Sequence, residues 1–109
     1  MSYCTVADVR ALVDSDVTDL EIADIISRTD ARIDILVDAG STPALILEDI
    51  SSLYSSYRIM LKDPNARSLG EYSERRDKAL ELIKQEINEL IAMVSGGGIS
   101  FTPASESLS

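Results

Sequence analysis

Several residue groups have the types and spacing to do chemistry. Asp14, Asp16 and Thr18 copy the first three ligands of a calcium-binding loop. The sixth position of such a loop needs glycine and holds Asp19; the twelfth needs a bidentate Glu and holds Ile25. A helix N-cap at Thr18 with Glu21 explains the same residues without a metal. Asp30, Asp34 and Asp38 recur at i, i+4 and i+8, on the polar side of a helical pattern. Two readings fit that row. It is a solvated face, or it receives a basic partner such as Arg67, Arg75, Arg76 or Lys78 of a neighbouring copy.

Nucleophilic chemistry has little to work with. The chain contains no histidine, no tryptophan and one cysteine. That removes His-based pairs and triads, and zinc sites built from His or Cys clusters. Cys4 lacks an activating histidine and reads as a small buried apolar residue. Gly96-Gly97-Gly98 has no lysine, strand or following helix to make a phosphate loop. Tyr54, Tyr57 and Tyr72 have no basic groove beside them and read as core or interface rather than a base-stacking platform. No cofactor, metal or catalytic residue is expected. A lone cysteine also fits a reducing compartment.

Charge narrows the partners. The formal net charge is −9 over 109 residues, so generic attraction to nucleic acid or anionic membrane is absent. Residues 1–49 hold eleven acids against three arginines, a net of −8, whereas residues 50–94 hold seven of each sign. The acidic half either keeps the protein soluble or steers one copy against another. A helix-turn-helix reading of residues 6–39 fails because its recognition helix would carry more acids than bases. The longest apolar run is the five residues Leu90 to Val94, too short to span a bilayer. The N-terminus lacks the basic and apolar regions of a signal peptide.

The elements that position these residues are helices. Thr5 and Asp8 form a capping-box spacing before Val6, Val9, Leu12 and Val13, which predicts a short helix over 6–13. Thr18 and Glu21 open a second over 19–39, whose stripe is Ile22, Ile25, Ile26, Thr29, Ile33, Leu36 and Val37, with Gly40 as the left-handed terminator. Thr42 caps a third with Pro43 at its first position. Its buried face is Ile46, Ile50, Leu53, Tyr54, Tyr57, Met60 and Leu61, and Asp63-Pro64-Asn65 breaks it. The fourth runs from 71 to 94 or 95 on Tyr72, Arg76, Ala79, Leu80, Ile83, Ile87, Leu90, Ile91 and Val94. No strand pattern competes.

The expected fold is all-α: a single small domain of three main helices plus a short N-terminal one, over residues 1–95. A Gly/Ser-rich flexible tail follows over 96–109. The fourth helix would span about 36 Å, long for a domain whose radius of gyration should be about 13 Å. Its apolar end, Leu90, Ile91, Met93 and Val94 followed by Ile99 and Phe101, is covered by the first helix or packs on another copy or protein.

The opening Tyr3-Cys4-Thr5-Val6-Ala7-Asp8-Val9-Arg10-Ala11-Leu12, followed by a long amphipathic helix with Ile22, Ile25, Ile26 and Ile33, resembles the small head–tail connector proteins of tailed bacteriophages. These are also called adaptor or head-completion proteins. The segment Ser68-Leu69-Gly70-Glu71-Tyr72-Ser73 is similar to a Gly-acid-aromatic-Ser segment common among them, although here it continues into Glu74-Arg75-Arg76. The resemblance covers about residues 3–94 and the order of four helices. It implies a virion protein assembled in the host cytoplasm, with no catalytic residues. Such connectors form homo-oligomeric rings, commonly of about a dozen copies, beneath the portal protein. They extend the DNA channel without binding DNA specifically and present a platform to a tail or stopper protein. The subunit contacts expected on this reading are Asp30, Asp34 and Asp38 against Arg67, Arg75 and Arg76, with Tyr72, Ile91, Val94 and Phe101 adding burial. The alternative is a small acidic adaptor or regulatory module that captures a partner helix as monomer or dimer.

Overall fold

Thr5 starts the first helix by a reciprocal pair of bonds. Its hydroxyl accepts from the Asp8 N–H at 3.2 Å, and the Asp8 carboxylate accepts from the Thr5 N–H at 2.9 Å. The computed structural model describes residues 3–38, 40–69 and 75–95. In chain order they form α1 (Val6–Arg10), β1 (Val13–Asp14), α2 (Asp19–Leu36), α3 (Ala44–Lys62), β2 (Arg67–Ser68) and α4 (Arg76–Ser95). The architecture is all-α with one minimal sheet. The predicted tail 96–109 lies outside the described residues.

The helix boundaries differ from the sequence expectation in four places. α1 stops at Arg10, because Val13 and Asp14 turn extended and pair antiparallel with Ser68 and Arg67. Leu69 N–H donating to Leu12 C=O at 2.8 Å extends that pairing. Two-residue strands are too short to show an alternating pattern, so they leave no trace in sequence periodicity.

α2 ends at Leu36 rather than 39. Val37 is extended and buried, and the Asp38 carboxylate accepts from the Gly40 N–H at 3.0 Å. Asp38 C=O also takes the Thr42 hydroxyl at 2.6 Å. A local side-chain turn at Asp38 thus replaces the left-handed terminator expected at Gly40. An added Cβ at Gly40 would come 3.3 Å from Asp38 Oδ1, so the Asp38 carboxylate would have to shift to admit it. α3 begins at Ala44 with Pro43 as its N-cap, so Thr42 holds the preceding turn instead of capping.

α4 begins at Arg76, after a non-helical Arg75; residues 71–74, where the sequence starts the helix, lie outside the described residues. Its twenty residues span about 30 Å at 1.5 Å per residue. The longest extent of the molecule is 35 Å. The helix is shorter than the sequence reading, and of its apolar end Leu90 and Ile91 are buried in the core while Met93 is exposed.

α3 is the centre of the packing. α1, α2, α4 and β1 all lie against it. Residues Leu47, Ile50 to Tyr57, Ile59 and Met60 are buried, so nearly every side of the helix is covered. Ser51, Ser52, Ser55 and Ser56 make this possible. Their small side chains admit neighbouring helices, and Ser52 and Ser56 bond back to carbonyls three residues earlier. The expected stripe is thus only part of the buried surface, and Leu61, assigned to it, is 50% exposed.

Candidate interaction surfaces

The expected acidic row splits into three environments. Asp30 is in the core, 7% exposed. Its carboxylate accepts the Tyr3 N–H at 2.9 Å and the Ser51 hydroxyl at 2.6 Å. Asp34 is exposed and accepts the Tyr3 hydroxyl. Asp38 is exposed but lies beyond the helix, in the turn before α3. Asp30 is therefore removed from the candidate contact set: it anchors the N-terminal segment to α2 and α3. Each buried donor left unmade by its removal would cost about 1–3 kcal/mol.

Cys4 completes this buried cluster. It is 4% exposed, with its Sγ 3.1 Å from Ser51 Oγ. The Ser51 hydroxyl thus reaches both Asp30 Oδ1 and Cys4 Sγ. Burial pushes the Cys4 thiol up to about 11 against the Ser51 bond, which lowers it, and the nearby carboxylates add to the rise. These surroundings favour the protonated thiol. Tyr3 is likewise pushed up to about 12, first by its bond to Asp34, then by burial and the Asp34 and Asp30 charges.

The expected basic partners also divide. Arg76 is half-buried and donates from Nη1 to Asp63 C=O at 3.1 Å, and from Nη2 to Met60 C=O. These carbonyls close α3, so Arg76 caps that helix and is not a free contact residue. Asp63 accepts the Ser15 hydroxyl at 2.6 Å and the Asn65 N–H at 2.9 Å, bonds that hold its carboxyl below the usual range. Arg10 ties the chain before α2 in the same way, donating to Val17 C=O at 2.9 Å and to Asp19 at 2.8 Å. Arg67 and Arg75 are exposed, and Arg75 approaches Asp77 only at 4.0 Å.

Of the apolar candidates, Ile91 is fully buried in the core and Val94 is half-buried against it. Ile91 is corrected from contact residue to core residue. Tyr72 and Phe101 lie outside the described residues. Asp14 sits in β1 and Thr18 accepts from the Glu21 N–H at 3.2 Å as the N-cap of α2, so the calcium-like spacing is used by local structure. Among the described residues no three acids, cysteines or histidines gather to hold a metal ion, and no helix is long and apolar enough to cross a membrane.

Comparison with known protein families, curated proteins and solved structures finds no match. The ends of the helix bundle then carry the argument. α2 and α3 run antiparallel, fixed by Asp30 against Ser51 and by the Glu21–Lys62 ion pair at 3.0 Å. α4 starts against the end of α3 at Met60 and Asp63 and runs back along it. Asp34 and Asp38 therefore stand at one end, beside the α2–α3 turn. Arg67 and Arg75 stand at the other, at the corner between α3 and α4.

Proposed function

We propose that this chain is a structural assembly protein: a ring-forming connector like those that join head to tail in tailed bacteriophages. The observation that supports it most is the exposed acids Asp34 and Asp38 at one end of the bundle and the exposed Arg67 and Arg75 at the other. Complementary charges at opposite ends favour head-to-tail packing, which closes into a ring when the rotation allows. The polar cluster around Asp30 supports a non-enzymatic role, because its hydrogen bonds hold the chain together and burial favours the protonated thiol.

In this reading the ring sits beneath a portal protein at the head–tail junction of the virion and presents its far face to a tail or stopper protein. A net charge of −9 suits a DNA channel, since a repulsive wall lets the polymer slide without sticking.

Native mass by light scattering, across concentration and at two salt levels, tests the reading. The expected result is a discrete species of about a dozen copies at low salt that dissociates as salt screens the contact. Joint reversal at Arg67→Glu and Arg75→Glu should abolish it. Assembly unchanged by that reversal at low salt would overturn the charge-paired ring. A strict dimer at every concentration would favour the adaptor module instead.

A further inference from the structure

The large apolar side chains left exposed fall at both ends of the bundle: Leu20, 84% exposed, and Leu61 at the end where α2 starts and α3 stops, and three more at the other. Ile35 is 82% exposed, Leu45 74% and Met93 67%. Ile35 closes α2 and Leu45 opens α3, at the same end of an antiparallel pair. Met93 lies 17 residues from Arg76, about 26 Å along α4, while Leu45 lies 15 residues back from Met60, about 23 Å along α3. The three residues are therefore level with one another at the α2–α3 turn. Each comes from a position off its helix's buried stripe, and each carries an exposed acid on the same face or next to it. Asp49 is one turn from Leu45, Glu89 is one turn from Met93, and Asp34 and Asp38 flank Ile35. α2 and α4 each pack on α3, so these exposed apolar and acidic residues share one end of the bundle, which favours a surface that is apolar and basic.

The opposite end of the same molecule offers that surface. Leu61 is 50% exposed, Lys62 follows it, and Arg67 and Arg75 lie at the same corner. Lys62 and Arg75 make exposed ion pairs with Glu21 and Asp77, and such pairs exchange partners at little cost. We propose that the Ile35–Leu45–Met93 patch of one copy receives the Leu61, Lys62, Arg67 and Arg75 corner of the next. This rests on the assembly reading above and names the apolar centre of its contact. Patch and corner sit at opposite ends, so the contact is heterologous: an open chain of copies keeps one free patch and one free corner, which ring closure joins.

Two variants test it by complementation. One loses the patch (Leu45→Glu with Met93→Glu) and the other loses the corner (Leu61→Glu with Arg75→Glu). All four side chains are exposed, and circular dichroism verifies the fold; Leu45→Ser and Leu61→Ser serve where a glutamate unfolds the chain. Sedimentation velocity and concentration-dependent amide shifts read the outcome. Each variant alone should be monomeric. Mixed, they should form a one-to-one pair and nothing larger, at least about tenfold tighter than either variant's self-association. Variants that assemble like wild type would overturn this contact and leave the ring reading standing. A corner-deficient variant that dimerises alone would also overturn it, by making the contact patch-to-patch. A wild-type chain that stays monomeric at millimolar concentration, with no shifts at either end, would overturn both.

Discussion

Tyr3 is held by two carboxylates one helical turn apart, its amide by Asp30 and its hydroxyl by Asp34. That arrangement makes stability depend on alkaline pH. Tyr3 is raised from 10.0 to about 12 and Cys4 from 9.0 to about 11. An acid whose folded pKa lies above its unfolded value binds more protons when folded. Its contribution is complete below the unfolded pKa and is lost as pH rises through the folded one. The urea midpoint should therefore hold between pH 7 and about 9, then fall through about 12. Tyr3→Phe should flatten the upper part of that fall and Cys4→Ala the lower part. A Tyr3→Phe curve parallel to wild type would sink the assignment. Asp30, assigned from sequence to the polar side of α2, is buried. It falls four residues after Ile26 and three before Ile33, on the edge of the buried stripe. Its partners were not legible, because Tyr3 and Ser51 lie 27 and 21 residues away in sequence and only the folded helices bring them together.

At the scale of elements, two of the four helix starts and two of the four stops read correctly, α3 ending at Lys62 and α4 at Ser95. Thr5 and Thr18 cap where their spacing predicts, because an N-cap is a bond to a residue three positions on. The end of α3 reads as well from Asp63-Pro64-Asn65, but the Arg76 bond to its last carbonyls comes from thirteen residues past Asp63, and no local pattern announces that tie. The two neighbouring arginines should separate cleanly on substitution. Arg76→Ala strands the Met60 and Asp63 carbonyls and should cost about 2 kcal/mol in urea unfolding. Arg75→Ala, on the exposed side, should stay within about 0.5 kcal/mol. Equal costs would mean that Arg76 does not cap α3. The apolar periodicity of α4 runs back to Tyr72, outside the described residues, and the described helix begins at Arg76, where its bonds fix the corner.

At the scale of the whole molecule, α3 is the hub on which α1, α2, α4 and β1 converge. Periodicity identified the four helices but not their centre. The serines that let α3 be surrounded look polar in sequence and are buried because they are small. A hub opens last. Amides between Ser51 and Ile59 should exchange with solvent only through global unfolding, whereas those of α1 and the ends of α2 and α4 should exchange through local opening. Hydrogen exchange by NMR measures this, and α2 or α4 protected more strongly than α3 would contradict it. The same centrality has a consequence on the ribosome. α2 and α3 emerge as a hairpin before α4 has been made, so the nascent hub has one bare side until translation delivers the last described helix. The hairpin meanwhile keeps apolar surface open to the wrong neighbours. The time taken to translate from Asp63 through Ser95 thus sets how long that side stays bare.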